Sequence, residues 1–162
     1  MIMTYKYPNN INDAKKVCKR ICKAYDVDVS FDDTFNNFSN TYDACICTDR
    51  IECSKFRDWN CDLLIFSVLH EIGHIEISRN DSNNDKQKTI FAREFDAWHF
   101  ASNAFLKLFK RNISIKQAKF MMKCLNSYIP DYNSVEMNMT NKDVITEVES
   151  TFWCPLRRKV NY

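Results

Sequence analysis

Apolar residues recur every three to four positions at Ile11, Ala14, Val17, Cys18, Ile21, Cys22 and Tyr25, while Lys15, Lys16, Lys19, Arg20 and Lys23 take the opposite face. That period predicts an amphipathic first helix. The pattern then shortens. Val27 to Phe31 alternates apolar with acidic or polar residues, and two β-prone runs, Thr41 to Cys47 and Ile51 to Phe56, are joined by Thr48-Asp49-Arg50. These runs predict a small, mainly antiparallel sheet with Thr48-Asp49-Arg50 as a connection.

From Leu63 to Ile77 the chain is apolar on nearly every side, which is the mark of a buried helix. Asp58 or Asn60 suits its N-cap, the helix should run from Cys61 to Ser78, and the polar stretch that begins at Arg79 reads as a loop. A further helix is expected from Lys88 to Lys110. Its aromatic residues Phe91, Phe95, Trp98, Phe105 and Phe109 follow helical spacing and read as core. Arg111-Asn112-Ile113 then turns, and Ser114 caps a helix from Ile115 to Tyr128. The predicted fold class is α+β. Residues 1–130 form one domain, with 111–130 a small helix-turn-helix-like element, and 131–162 form a C-terminal extension.

Composition narrows the function. A chain of 162 residues is one domain's worth, and 23 Lys+Arg against 21 Asp+Glu leave no net charge large enough to imply nucleic-acid or membrane binding. The apolar stretch is shorter than the ~20 residues a bilayer span needs, so no membrane role is expected. No apolar segment of the signal-peptide type stands near the N-terminus, so the expected location is the cytoplasm, with the eight cysteines as reduced thiols.

The chemistry lies inside the buried helix, in His70-Glu71-Ile72-Gly73-His74. Two imidazoles four residues apart stand on one helix face and can share one ion, and Glu71, one step round, can reach a water on that ion. A zinc hydrolase needs this division: the ion lowers the water's pKa and the carboxylate takes its proton. Gly73 is the only glycine in the chain and sits where a helical glycine costs ~1 kcal/mol, so a neighbouring group must approach closely there. Glu94 lies on the next helix. If the two helices are antiparallel, it returns to the ion as third ligand, with Asp96 pointing to another side. His99 reads as structural or at the surface.

HEIGH followed by Glu94-Phe95-Asp96-Ala97-Trp98-His99-Phe100-Ala101 resembles the gluzincin pattern HExxH…ExxA, and specifically the ImmA/IrrE family of small metallo-endopeptidases. The resemblance extends from Thr41 to Tyr128. It implies a zincin-like fold with a sheet packed on the HExxH helix, Zn2+ held by His70, His74 and Glu94, and Glu71 as catalytic base. It also implies a regulatory role: cleavage of a specific protein, such as a helix-turn-helix repressor encoded beside it on a phage or mobile element. Two positions depart from the family pattern. Asp96 replaces a Glu, and Trp98 stands where an Asn or Asp is usual, so the hydrogen bond to a ligand histidine made there in the family does not carry over.

Between Ala97 and Pro130 no acidic residue interrupts Lys107, Lys110, Arg111, Lys116, Lys119 and Lys123. This local patch is a candidate contact for DNA or an acidic partner. The competing reading is therefore a DNA-associated regulatory protein with a structural or vestigial metal site. Glu71 favours the enzyme, because a closed structural site has no use for a carboxylate beside an open coordination position.

Overall fold

The stripe of residues 11–25 closes into α1, Ile11–Ala24. Asn10 caps it, its side-chain oxygen accepting from the Asp13 N–H at 2.9 Å, and Ala14, Cys18, Ile21 and Cys22 are buried. The helix is followed by Asp26 in a left-handed conformation, φ 54°. The computed structural model describes residues 4–32, 39–43, 48–54, 60–85, 88–126 and 128. The extension 131–162, Asp58, Cys45, Cys47 and Cys154 all lie outside these residues.

Three strands follow: β1 (Val27–Asp32), β2 (Ser39–Asp43) and β3 (Thr48–Ser54), in the order β1-β3-β2. β1 runs parallel to β3, with Val29 opposite Ile51, and β2 runs antiparallel to it, with Thr41 opposite Arg50. The sheet is thus mixed, not mainly antiparallel. Thr48-Asp49-Arg50 is no connection either, since it pairs with Asp43, Tyr42 and Thr41. Alternation in sequence decides which face of a strand is buried and says nothing of which strand lies beside it. The buried faces are as the alternation requires, with Val27, Ile51 and Cys53 in the core.

α2 (Cys61–Asp85) carries Leu64, Ile65, Phe66, Val68, Leu69, Ile72 and Ile75 into the centre of the core. Asn60 is its cap, accepting from the Leu63 N–H at 2.9 Å. The helix continues through residues expected to form a loop. No glycine or proline interrupts Arg79–Asp85, and low propensity alone is a weak stop once a helix is nucleated. Arg79 also ties this turn down, donating to the Tyr25 and Asp26 carbonyls at 2.6 and 2.8 Å.

α3 (Ile90–Phe109) starts at Thr89, whose hydroxyl accepts from the Ala92 N–H at 3.1 Å, and ends at Lys110 in a left-handed conformation, φ 55°. It lies antiparallel on α2: His74 meets Glu94 at one end and Phe66 meets Phe105 at the other. α4 (Ile115–Asn126) begins with a reciprocal box, in which Gln117 N–H donates to Ser114 Oγ at 3.3 Å and Ser114 N–H to Gln117 Oε1 at 2.7 Å. The buried Gln117 also donates to the Asp62 carbonyl at 3.1 Å, which joins α4 to the first turn of α2. Helices and a small sheet sharing one core make the class α+β. Among the described residues, no helix is long and apolar enough to cross a membrane.

Candidate metal centre

α2 and α3 approach closely where α2 has no side chain. A Cβ at Gly73 would lie 2.9 Å from the Ala97 carbonyl oxygen and 3.1 Å from the Ala97 Cα. The close neighbour expected from the lone glycine is thus the backbone of α3. This contact packs the two helices closely, and beside it the polar residues meet. His70 and His74 project from successive turns of α2, and Glu94 reaches them from the turn of α3 before Ala97.

The three residues form one group. His70 Nε2 and His74 Nε2 are 3.1 Å apart, His70 Nε2 is 3.2 Å from Glu94 Oε2, and His74 Nε2 is 3.3 Å from Glu94 Oε1. Donors at zinc distances of about 2.0–2.1 Å in tetrahedral array lie about 3.3 Å from one another, so these three outline one face of such a polyhedron. The group can hold a metal ion. Among the described residues it is the one such group of His, Cys, Asp and Glu.

Protonation states suit the same use. Burial lowers the His70 imidazole to about 4, so it is neutral at neutral pH. Burial pushes the Glu94 carboxyl up, but hydrogen bonds and charge from His70 and His74 outweigh it and hold the group near 2, fully ionised. A neutral imidazole at His70 and an ionised carboxylate at Glu94 are forms that coordinate. The Nδ1 atom of His70 is buried and has no hydrogen-bond partner among the described residues.

Glu71 stays outside this group. Burial raises its carboxyl to about 7, with the charge of His74 opposing and that of Glu94 adding to the rise. Asp96 points elsewhere and pairs with Lys88 at 2.7 Å. His99 is exposed, with its Nε2 3.3 Å from the Asn103 amide. The cysteines Cys18, Cys22, Cys53, Cys61 and Cys124 are free thiols.

Two contributions to the surroundings of the site were not visible in the pattern of residues. The Trp98 ring stacks on His70, with centroids 3.8 Å apart and planes 24° from parallel. From α4 come Cys124 and, just past its end, Tyr128. Burial raises both, and the charge of Glu94 raises both further, while that of Glu71 also acts on Tyr128. A spacing of four from Phe120 through Cys124 to Tyr128 marks one side of α4, and Phe120 touches Trp98 edge-on at 5.9 Å. That stripe was a signal in the sequence, but only the position of α4 gives it meaning. No protein-family model, curated protein or solved structure matches this chain.

Proposed function

We propose that the chain is a zinc-dependent endopeptidase of zincin-like design, with His70, His74 and Glu94 holding the ion and Glu71 as general base. One observation carries this reading. Three donors converge at the edge lengths of a tetrahedral face, while the adjacent carboxyl of Glu71 stays out of the group. The resemblance of HEIGH and Glu94–Ala101 to the ImmA/IrrE endopeptidases supports it from the sequence. A zinc ion held there supplies a lower pKa to water and polarises a peptide carbonyl. Glu71 accepts the proton of the attacking water and passes it to the leaving amine.

The substrate we assign is a specific cytoplasmic protein, such as a helix-turn-helix repressor, not unfolded chains in general. Lys107, Lys110, Arg111, Lys116, Lys119 and Lys123 are all exposed and offer that partner, or DNA it is bound to, a basic face. The test is metal analysis of the purified chain together with Glu71→Gln. The variant should keep one zinc per chain and lose peptidase activity, because an amide cannot take the proton. A wild-type chain that takes up no zinc, or full activity in Glu71→Gln, refutes the assignment.

A further inference from the structure

Metal-ligating histidines ordinarily donate their second ring N–H to a carboxylate, carbonyl or water, which sets the tautomer and the ring rotation. His70 departs from this, since its buried Nδ1 has no partner among the described residues. The ring is instead covered by Trp98. The two planes lie 24° from parallel at 3.8 Å, and the residues are 6% and 3% exposed. The indole Nε1 is also buried and without a partner, so neither ring is oriented by a hydrogen bond from these atoms. Geometry, not polarity, joins them.

We propose that Trp98 is the positioning residue of the site, holding the His70 imidazole at its coordinating angle by stacking, in the role that a hydrogen bond to Nδ1 plays elsewhere. The inference rests on the metal-centre reading above. Trp98 stands one turn beyond Glu94 on α3 and His70 one turn before His74 on α2, so the antiparallel register that brings ligand to ligand also lays the indole on the imidazole. The indole is itself wedged: Phe66 meets it at 5.1 Å and Phe120 at 5.9 Å. On its remaining side His70 meets the His74 ring edge-on, at 4.6 Å and 80°. A partner ring stacked at 3.8 Å resists rotation of the imidazole out of that plane. Coordination also withdraws electrons from the imidazole, and an electron-rich indole face favours that state over the free one. Trp98 therefore acts on metal affinity beyond its part in packing.

The experiment compares wild type, Trp98→Phe, Trp98→Tyr and Trp98→Leu as full chains. Zinc dissociation constants come from competition with a chromophoric chelator, ligand geometry from the visible bands of the Co2+-loaded protein, and metal-free stability from urea unfolding. Trp98→Leu should weaken zinc binding by about 10–100-fold and shift the cobalt bands, the range typical of losing an orienting partner. Trp98→Phe and Trp98→Tyr retain a ring and should stay within about 5-fold of wild type, with unchanged bands. In a His70→Ala background, Trp98→Phe and Trp98→Leu should have the same residual affinity. Wild-type affinity and spectrum in Trp98→Leu overturn the proposal, as does a loss in Trp98→Tyr equal to that of His70→Ala. If Trp98→Leu does not fold, Trp98→Met takes its place as the ring-free variant, with the same two outcomes. A wild-type chain that binds neither Zn2+ nor Co2+ overturns the metal-centre reading itself, a distinct result.

Discussion

A single methyl group at Gly73 should damage the metal centre more than it damages the fold. In Gly73→Ala the new Cβ would meet the Ala97 carbonyl oxygen at 2.9 Å, the Ala97 Cα at 3.1 Å and Phe100 Cδ1 at 3.2 Å. Two of these three atoms are backbone and cannot rotate aside, so α2 and α3 must part by about 0.5 Å to restore normal van der Waals separation. Ala gains about 1 kcal/mol over Gly in a helix interior. Overpacking of a tight contact costs about 1–3 kcal/mol, which leaves a net loss of about 1 kcal/mol. The site feels the same displacement differently. Glu94 lies on α3 three residues before Ala97, and metal–ligand distances tolerate only about 0.2 Å, so zinc affinity should fall by roughly tenfold or more. Urea unfolding of the metal-free chain gives the first quantity, and zinc competition gives the second. A variant stabilised by about 1 kcal/mol with wild-type zinc affinity would show that the helices do not touch as described.

Glu94→Ala should lose zinc to below one-hundredth of wild-type affinity, whereas Asp96→Ala, which removes only a pair with Lys88, should stay within a few-fold; atomic absorption after dialysis separates them. Stability should fall at alkaline pH. Burial raises the Cys18, Cys22 and Cys53 thiols, Cys22 to about 12, while unfolded thiols ionise near pH 8.5. Above that pH the unfolded chain binds fewer protons than the native one, so each thiol subtracts up to about 1.4 kcal/mol per pH unit until its native pKa is reached. Urea unfolding under reductant from pH 8 to 10.5 should show this slope, and Cys18→Ala should reduce it; a flat profile refutes the burial of these thiols.

The parts that could be read from residues alone are those set by a period along one helix. The apolar stripe of α1, the all-round apolar face of α2, the cap at Ser114, Asn60 as one of two candidate caps, and the common side of His70 and His74 are local properties of the chain. Gly73 is a special case, because a helical glycine in a chain with no other one signals a neighbour without naming it. The order of the strands was not legible. It depends on which strands meet after the chain has turned, and Val27–Asp32 alternates equally well beside β2 or β3. The end of α2 was missed for another reason: Asn, Asp and Ser favour loops only weakly, and the bonds that hold Arg79 come from residues more than fifty positions away. The stack of Trp98 on His70 needs the register of two helices at once, and so no spacing within either could reveal it.

Asp26 and Lys110 adopt left-handed backbone angles that a chain usually gives to glycine. Each costs about 1 kcal/mol in the native state. The consequence lies in the unfolded ensemble. With a single glycine among 162 residues, the denatured chain has few positions of wide backbone freedom, so less conformational entropy is surrendered when it folds. The two effects are opposite in sign, and at a left-handed position the native strain is the larger. A chain nearly devoid of glycine thus ends α3 on a lysine, and makes the bend between α1 and β1 with an aspartate, at a cost that the stiffer unfolded chain offsets in part.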